Sequence, residues 1–183
     1  MIKALSKLIL FKWMGWTADI SVQLPPKCII AVAPHTSNMD FIIGILYSRA
    51  IGLKANFLMK KEWFVGPLGP FMKSLGGIPV YRSKKCSLTD QLAEASRKMD
   101  TFRLAITPEG TRSRVEEWKK GFYYIALKAG IPIMLYGLDF KEKRIVCHKA
   151  VMPDGNIQEQ MQEIISYFKS FQGRHPEKFG FPK

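Results

Sequence analysis

His35 and Asp40 stand five residues apart in the stretch Pro34-His35-Thr36-Ser37-Asn38-Met39-Asp40. Imidazole titrates near neutral pH, and a carboxylate that accepts a proton from one ring nitrogen leaves the other free to act as a base. Five helical residues turn through about 140°, so the two side chains would miss each other if both were helical. They meet if His35 lies on a turn and Asp40 in the first turns of the helix that follows. The spacing therefore allows general-base chemistry without requiring it.

Two further stretches carry groups suited to anions. In Gly76-Gly77-Ile78-Pro79-Val80-Tyr81-Arg82, glycines enter a strand and an arginine leaves it, a placement that presents a guanidinium to the paired oxygens of a phosphate. A surface arginine followed by Lys84 and Lys85 is the plainer reading of the same residues. In Thr107-Pro108-Glu109-Gly110-Thr111-Arg112-Ser113, one turn gathers a carboxylate, a glycine, hydroxyls and an arginine. Backbone N–H groups of such a turn, with Arg112, can hold an anionic group, while Glu109 fixes a hydroxyl or a neighbouring arginine.

These stretches need strands and helices to position them. The apolar run Cys28–Ala33 reads as a buried strand that delivers His35, and Asp40–Gly52 as the helix after it. Asn56–Met59, Ile78–Tyr81, Arg103–Thr107, Ile131–Leu138 and Arg144–Met152 read as further strands. Short helical character between Gly66 and Leu75 is followed by helices at Ser87–Met99 (capped by Ser87 or Thr89), Glu117–Ala129 and Ile157–Phe171. The alternation predicts an α/β fold: a single layered domain with a mainly parallel sheet flanked by helices, preceded by an amphipathic N-terminal helix. We place that helix in residues 1–24 and the layered domain in 25–183, with the tail Gln172–Lys183 peripheral.

Composition narrows the partners. The 183 residues, 47% hydrophobic, suffice for one sizeable core. A formal charge of +13 favours anionic partners such as phosphates, acidic carrier proteins or an anionic membrane surface. No RRM, zinc-finger or helix-turn-helix signature accompanies the basic charge, so no nucleic acid is expected. The absence of a G-x-S-x-G elbow disfavours hydrolase chemistry. Cys28, Cys86 and Cys147 are dispersed without CxxC spacing, which argues against disulfides and a metal site. No apolar run is long enough to span a bilayer. In the first sixteen residues Ile2, Leu5, Ile9, Trp13 and Trp16 share one broad helical face opposite Lys3 and Lys7. That pattern suits a helix lying in a membrane interface or one packed on the domain itself. The placement expected is peripheral, on the cytoplasmic face of a membrane.

Taken together, the H-x4-D block (His35 to Asp40), the Gly-x-Ile-x-x-x-Arg block (Gly76 to Arg82), the Pro-Glu-Gly-Thr-Arg-Ser block (Pro108 to Ser113) and Ile131-Pro132-Ile133 resemble the glycerolphosphate and lysophosphatidic acid acyltransferase family in order and spacing. The resemblance spans about Cys28 to Leu138. It implies that His35 deprotonates an acceptor hydroxyl, which attacks a thioester directly without a covalent acyl-enzyme, and that Asp40 orients His35. It implies a phosphate site of Arg82, Glu109, Gly110, Thr111 and Arg112. Met59-Lys60-Lys61-Glu62-Trp63 is similar to the family's Ala-Lys-x-Glu-Leu segment, making Lys60 the candidate oxyanion stabiliser, with Lys61 an adjacent alternative. The donor implied is acyl-CoA or acyl carrier protein, as co-substrate rather than cofactor. An acyl chain also needs an apolar groove, for which Phe41–Tyr47 and Trp63–Met72 are candidates.

Tyr81 stands where the family usually has an acidic residue before the arginine, and Leu135 follows Met134 where a second proline is usual. Tyr81 keeps open a different lysolipid acceptor, such as an amino-acid-linked lipid. A catalytically silent membrane-binding protein is the alternative outside enzymology.

Overall fold

The computed structural model describes residues 1–60, 64–66, 68–74, 76–80 and 87–181. Among them one seven-stranded sheet is formed by β1 (Thr17–Ile20), β2 (Lys27–Ala33), β3 (Asn56–Lys60), β4 (Gly77–Val80), β5 (Phe102–Ile106), β6 (Ile133–Asp139) and β7 (Arg144–Val151). The spatial order is β1-β7-β6-β2-β5-β3-β4. Every pairing is parallel except β6 with β7. The helices are α1 (Ile2–Lys7), α2 (Asn38–Ile51), α3 (Leu68–Ser74), α4 (Leu88–Lys98), α5 (Gly121–Ala129) and α6 (Ile157–Phe168).

β2 lies at the centre because it is apolar on both faces, as a strand covered on both sides must be. Its alternate residues enter two separate cores. Ile29, Ala31 and Ala33 join Leu92 of α4, Phe122 and Ile125 of α5 and Ile164 of α6. Cys28 and Ile30 join Leu10, Trp16, and Ile43 and Tyr47 of α2 on the opposite face. The result is a three-layer α/β/α arrangement. The chain leaves β2 toward β3 through α2 on one face, and leaves β5 toward β6 through α5 on the other. β2 and β5 are neighbours whose connections depart in opposite directions, and the carboxyl ends of such strands border the crevice where α/β proteins bind ligands.

The single antiparallel pairing, β7 returning beside β6, removes the need for a crossover helix and leaves the sheet mainly parallel, as expected. The structure departs from the sequence reading at four places. β1 was not foreseen; it pairs with β7 from Thr17↔Arg144 to Ile20↔Cys147. The helix expected at Glu117–Ala129 begins only at Gly121, because the Lys119 N–H donates to the Pro108 carbonyl at 2.7 Å and holds residues 117–120 against the preceding turn. The last helix ends at Phe168 rather than Phe171. Beyond it the tail is not peripheral: Phe171 and Phe179 are buried in the core, and the Trp118 indole N–H donates to the Gly180 carbonyl at 3.0 Å.

The N-terminal helix continues past α1 in π geometry through Leu8–Trp13. That wider turn separates the apolar residues that a regular helix would align. Ser6, Leu10 and Trp16 are buried, while Ile2, Leu5, Leu8 and Trp13 face outward, Trp13 at 73% exposure. Trp16 packs edge-on against Phe140 at 5.0 Å. The helix thus rests on the domain and still presents an apolar surface to solvent.

Candidate active site

Asp40 is buried at the third position of α2 and serves the helix and the histidine together. Its Oδ2 accepts the N–H groups of Thr36 at 2.7 Å and Ser37 at 2.8 Å, and lies 3.1 Å from His35 Nδ1. Ser37 Oγ accepts from Met39 N–H at 2.8 Å, completing a capping box that starts the helix. An ionised carboxylate only accepts, so the proton between Asp40 and His35 sits on Nδ1 and Nε2 carries the free lone pair. Nε2 has no hydrogen-bond partner among the described residues, and the ring is 17% exposed. Placing His35 on the turn and Asp40 one helical turn later gives the meeting that the spacing left conditional. The pair can take a proton from a bound hydroxyl.

The second turn follows β5. Gly110 N–H donates to the Thr107 carbonyl at 3.0 Å, closing a turn with proline second and glycine fourth. Gly110 has a φ of +67°, and a Cβ there would stand 3.1 Å from Lys119 Cγ, so the position requires glycine. Glu109 is 3% exposed and points inward: its Oε1 accepts the His35 backbone N–H at 2.8 Å. Burial pushes its carboxyl from 4.5 up to about 7, against the lowering effect of the His35 N–H. Among the described residues, Glu109 Oε2 and Asp40 Oδ1 are buried without hydrogen-bond partners. Gly110, Thr111 and Arg112 instead face solvent.

Arg112 reaches across to α2, where its guanidinium donates to Asn38 Oδ1. The turns after β2 and β5 are therefore joined twice, by Glu109 to the His35 backbone and by Arg112 to Asn38. Lys60 ends β3 beside Val80 in the register. Arg82, Lys61, Tyr81 and Trp63 lie outside the described residues. Gly76, which opens the strand leading to Arg82, has a φ of +94° and sits so close to the Ala55 carbonyl that a Cβ would be 2.3 Å away. Along the expected acyl groove, Phe41 and Ile42 face outward whereas Ile43 and Tyr47 belong to the core. Phe41 meets Phe57 of β3 edge-on at 5.4 Å.

The sequence reading missed the part Asn38 plays, and it gave Glu109 a hydroxyl or a neighbouring arginine to hold, where the structure gives it the His35 backbone N–H. Asn38 lies inside the H-x4-D block, but nothing in that spacing announces a partner 74 residues away. The apolar strand before Thr107-Pro108 was the available hint that the next carboxylate enters a buried layer.

Comparison with known proteins agrees with this architecture. The family model described as Acyltransferase matches residues 20–135. The 1-acyl-sn-glycerol-3-phosphate acyltransferase beta of Homo sapiens is 28% identical over 120 residues, covering 62% of this chain and 41% of that protein. The chloroplastic 1-acyl-sn-glycerol-3-phosphate acyltransferase BAT2 of Brassica napus is 32% identical over 108 residues, covering 55% of this chain and 30% of that protein. The chain thus spans less than half the length of these curated relatives. The crystal structure of the 1-acyl-sn-glycerophosphate (LPA) acyltransferase PlsC from Thermotoga maritima superposes with a TM-score of 0.64 at 19% identity, over 92% of this chain and 76% of that one. That likeness shows the shared fold. A family match over more than half of the chain, on a sheet whose central strand leads into the His35–Asp40 pair, makes this protein a member of the Acyltransferase family.

Proposed function

We propose that this protein transfers a fatty acyl group from an acyl thioester to the hydroxyl of a lysophosphatidic acid-like acceptor, a step of phospholipid synthesis. The observation that carries the reading is the contact of the pair: Asp40 Oδ2 lies 3.1 Å from His35 Nδ1, and Nε2, on a partly exposed ring, has no partner among the described residues. In the reaction, Nε2 takes the acceptor's proton as its oxygen attacks the thioester carbonyl carbon. The C–O bond forms, the C–S bond breaks, and the leaving thiolate takes the proton back from the imidazolium. Asp40 stabilises that imidazolium, and Lys60 is the proposed partner of the developing oxyanion.

The exposed Arg112, bonded to Asn38 at the start of α2, together with Gly110, Thr111 and Arg82, would bind the acceptor's phosphate through charge-assisted hydrogen bonds. Glu109, buried and engaged with the His35 backbone, supports the turn rather than facing the phosphate. The donor is acyl-CoA or acyl carrier protein, both anionic and suited to the +13 chain.

Among the described residues no helix is long and apolar enough to cross a membrane. The exposed Ile2, Leu5, Leu8 and Trp13, flanked by exposed Lys3, Lys7 and Lys12, would place the protein peripherally on an anionic membrane surface, on its cytoplasmic face. The test offers mixed lysolipids with acyl-CoA or acyl carrier protein donors to the purified chain and reads products by mass spectrometry. An acylated phosphate-bearing lysolipid is expected, and His35→Ala should abolish it. Full transfer by that variant, or no product from any lysolipid, would overturn the reading.

A further inference from the structure

The segment after α6, residues 171–181, crosses three strand ends. It starts at β6, where the Phe171 ring fills the space beside Gly137; a Cβ on Gly137 would lie 2.4 Å from that ring. There the Gln172 carbonyl accepts from Phe140 N–H at 2.8 Å. The segment then passes the turn after β2. The His175 N–H donates to Thr36 Oγ1 at 3.1 Å, and Gly173 lies so close that a Cβ would stand 2.8 Å from Thr36 Oγ1 and 3.0 Å from Pro34 Cβ. It ends on the loop beyond the Glu109 turn, with Gly180 receiving the Trp118 indole N–H and packed against the Val115 carbonyl. In the sheet β2 lies between β6 and β5, so the segment is anchored on both sides of the turn it spans.

We propose that this C-terminal strap positions the catalytic pair, acting through Thr36. Thr36 is 2% exposed, and it links the strap to Asp40 directly: its hydroxyl receives the strap's N–H, and its own N–H donates to Asp40 Oδ2 at 2.7 Å. A shift of Thr36 therefore moves the same carboxylate oxygen that holds His35 Nδ1. Catalytic geometry tolerates only small displacements of a base from its acceptor, so an outside brace on this turn bears on rate more than on binding. The inference rests on the reading of His35 as the base of acyl transfer.

The test compares full-length wild type, Thr36→Val, Thr36→Ser and Gly173→Ala. Thr36→Val removes the acceptor at nearly constant volume, Thr36→Ser keeps it, and Gly173→Ala presses a methyl group into Thr36. Two readouts are taken: steady-state kinetics with the lysolipid the wild type acylates, and the downfield proton resonance of His35 Nδ1 bonded to Asp40, assigned by its loss in His35→Gln. Thr36→Val and Gly173→Ala should lower kcat by about 2- to 10-fold with KM little changed, the range one neutral hydrogen bond spans. Both should weaken or displace the Nδ1 proton resonance, and Thr36→Ser should restore it. Folded variants with wild-type kcat and an unchanged resonance would overturn the proposal. A wild type that acylates nothing would defeat the functional reading instead, while the resonance would still decide whether the strap orients His35.

Discussion

Replacing Glu109 with glutamine isolates the electrostatic cost of the buried carboxyl beneath His35. Glutamine keeps an oxygen where Oε1 accepts the His35 N–H at 2.8 Å, and places a neutral amide where Oε2 has no partner among the described residues. Burial raises the folded-state carboxyl from 4.5 to about 7. Between those values the folded protein binds a proton that the unfolded chain has released. Wild-type stability from this group is therefore fully present below about pH 4.5, falls as pH rises through about 7, and levels off above it. At 1.36 kcal/mol per pH unit, the rise amounts to about 3 kcal/mol. The assay is urea unfolding of both proteins at matched pH values, followed by tryptophan fluorescence, to which the buried Trp16 and Trp118 both contribute. Subtracting the two curves cancels the titrating groups that do not interact with Glu109, leaving His35 and Asp40 beside it, so the advantage of Glu109→Gln should grow by about 3 kcal/mol across that window. A difference that stays flat with pH would refute the reasoning, since it would mean the folded site holds the charge at no cost. Glu109→Ala is the contrast: it loses the same titration but also strands the part-buried His35 N–H, so it should lie about 1–3 kcal/mol below Glu109→Gln at every pH.

Asp40→Asn should lower kcat by about 10²-fold or more in single-turnover assays, because an amide cannot accept from the Thr36, Ser37 and His35 donors through one oxygen and still stabilise the imidazolium. Arg112→Ala should raise the KM for a phosphorylated acceptor by about 10- to 100-fold, the worth of a charge-assisted hydrogen bond, and Arg112→Lys should recover only part of it. An unchanged KM in Arg112→Ala would move the phosphate site elsewhere. Leu5→Glu with Trp13→Glu should reduce sedimentation with anionic vesicles by at least about tenfold without loss of fold, since both side chains are already exposed. Equal binding by that variant would dismiss this surface as the membrane contact.

What could be read from sequence was whatever had a local cause. β2 announces itself as a continuous apolar run. The helix after it was expected from Asp40, whereas the capping box of Ser37 and Asp40 starts it at Asn38. The glycines at 76 and 110 mark turns that a side chain would obstruct. Those local causes were enough to place the alternating elements, the carboxyl-end location of the site and the His35–Asp40 pair. β1 escaped because Thr17-Ala18-Asp19-Ile20 is short, polar and largely exposed, and becomes a strand only because β7 lies beside it. The inward placement of Glu109 was not legible because a carboxylate in a polar turn ordinarily faces water. Only the tertiary approach of two turns 74 residues apart supplies the His35 N–H that holds it inward.

The tail shows most clearly why such contacts resist prediction. Its Gly173 and Gly180 read locally as flexible punctuation, yet each is a point where backbone is pressed against another segment. Its hydrogen bond to Thr36 joins residues 139 positions apart. The H-x4-D pattern specifies which groups meet, while the tightness of their meeting depends on Glu109 from one side and the strap from the other. Neither support belongs to the pattern itself. Two chains that share the His35–Asp40 motif could therefore differ in rate through residues far from it, and in this protein Gly173 and Thr36 are the positions where that difference would be made.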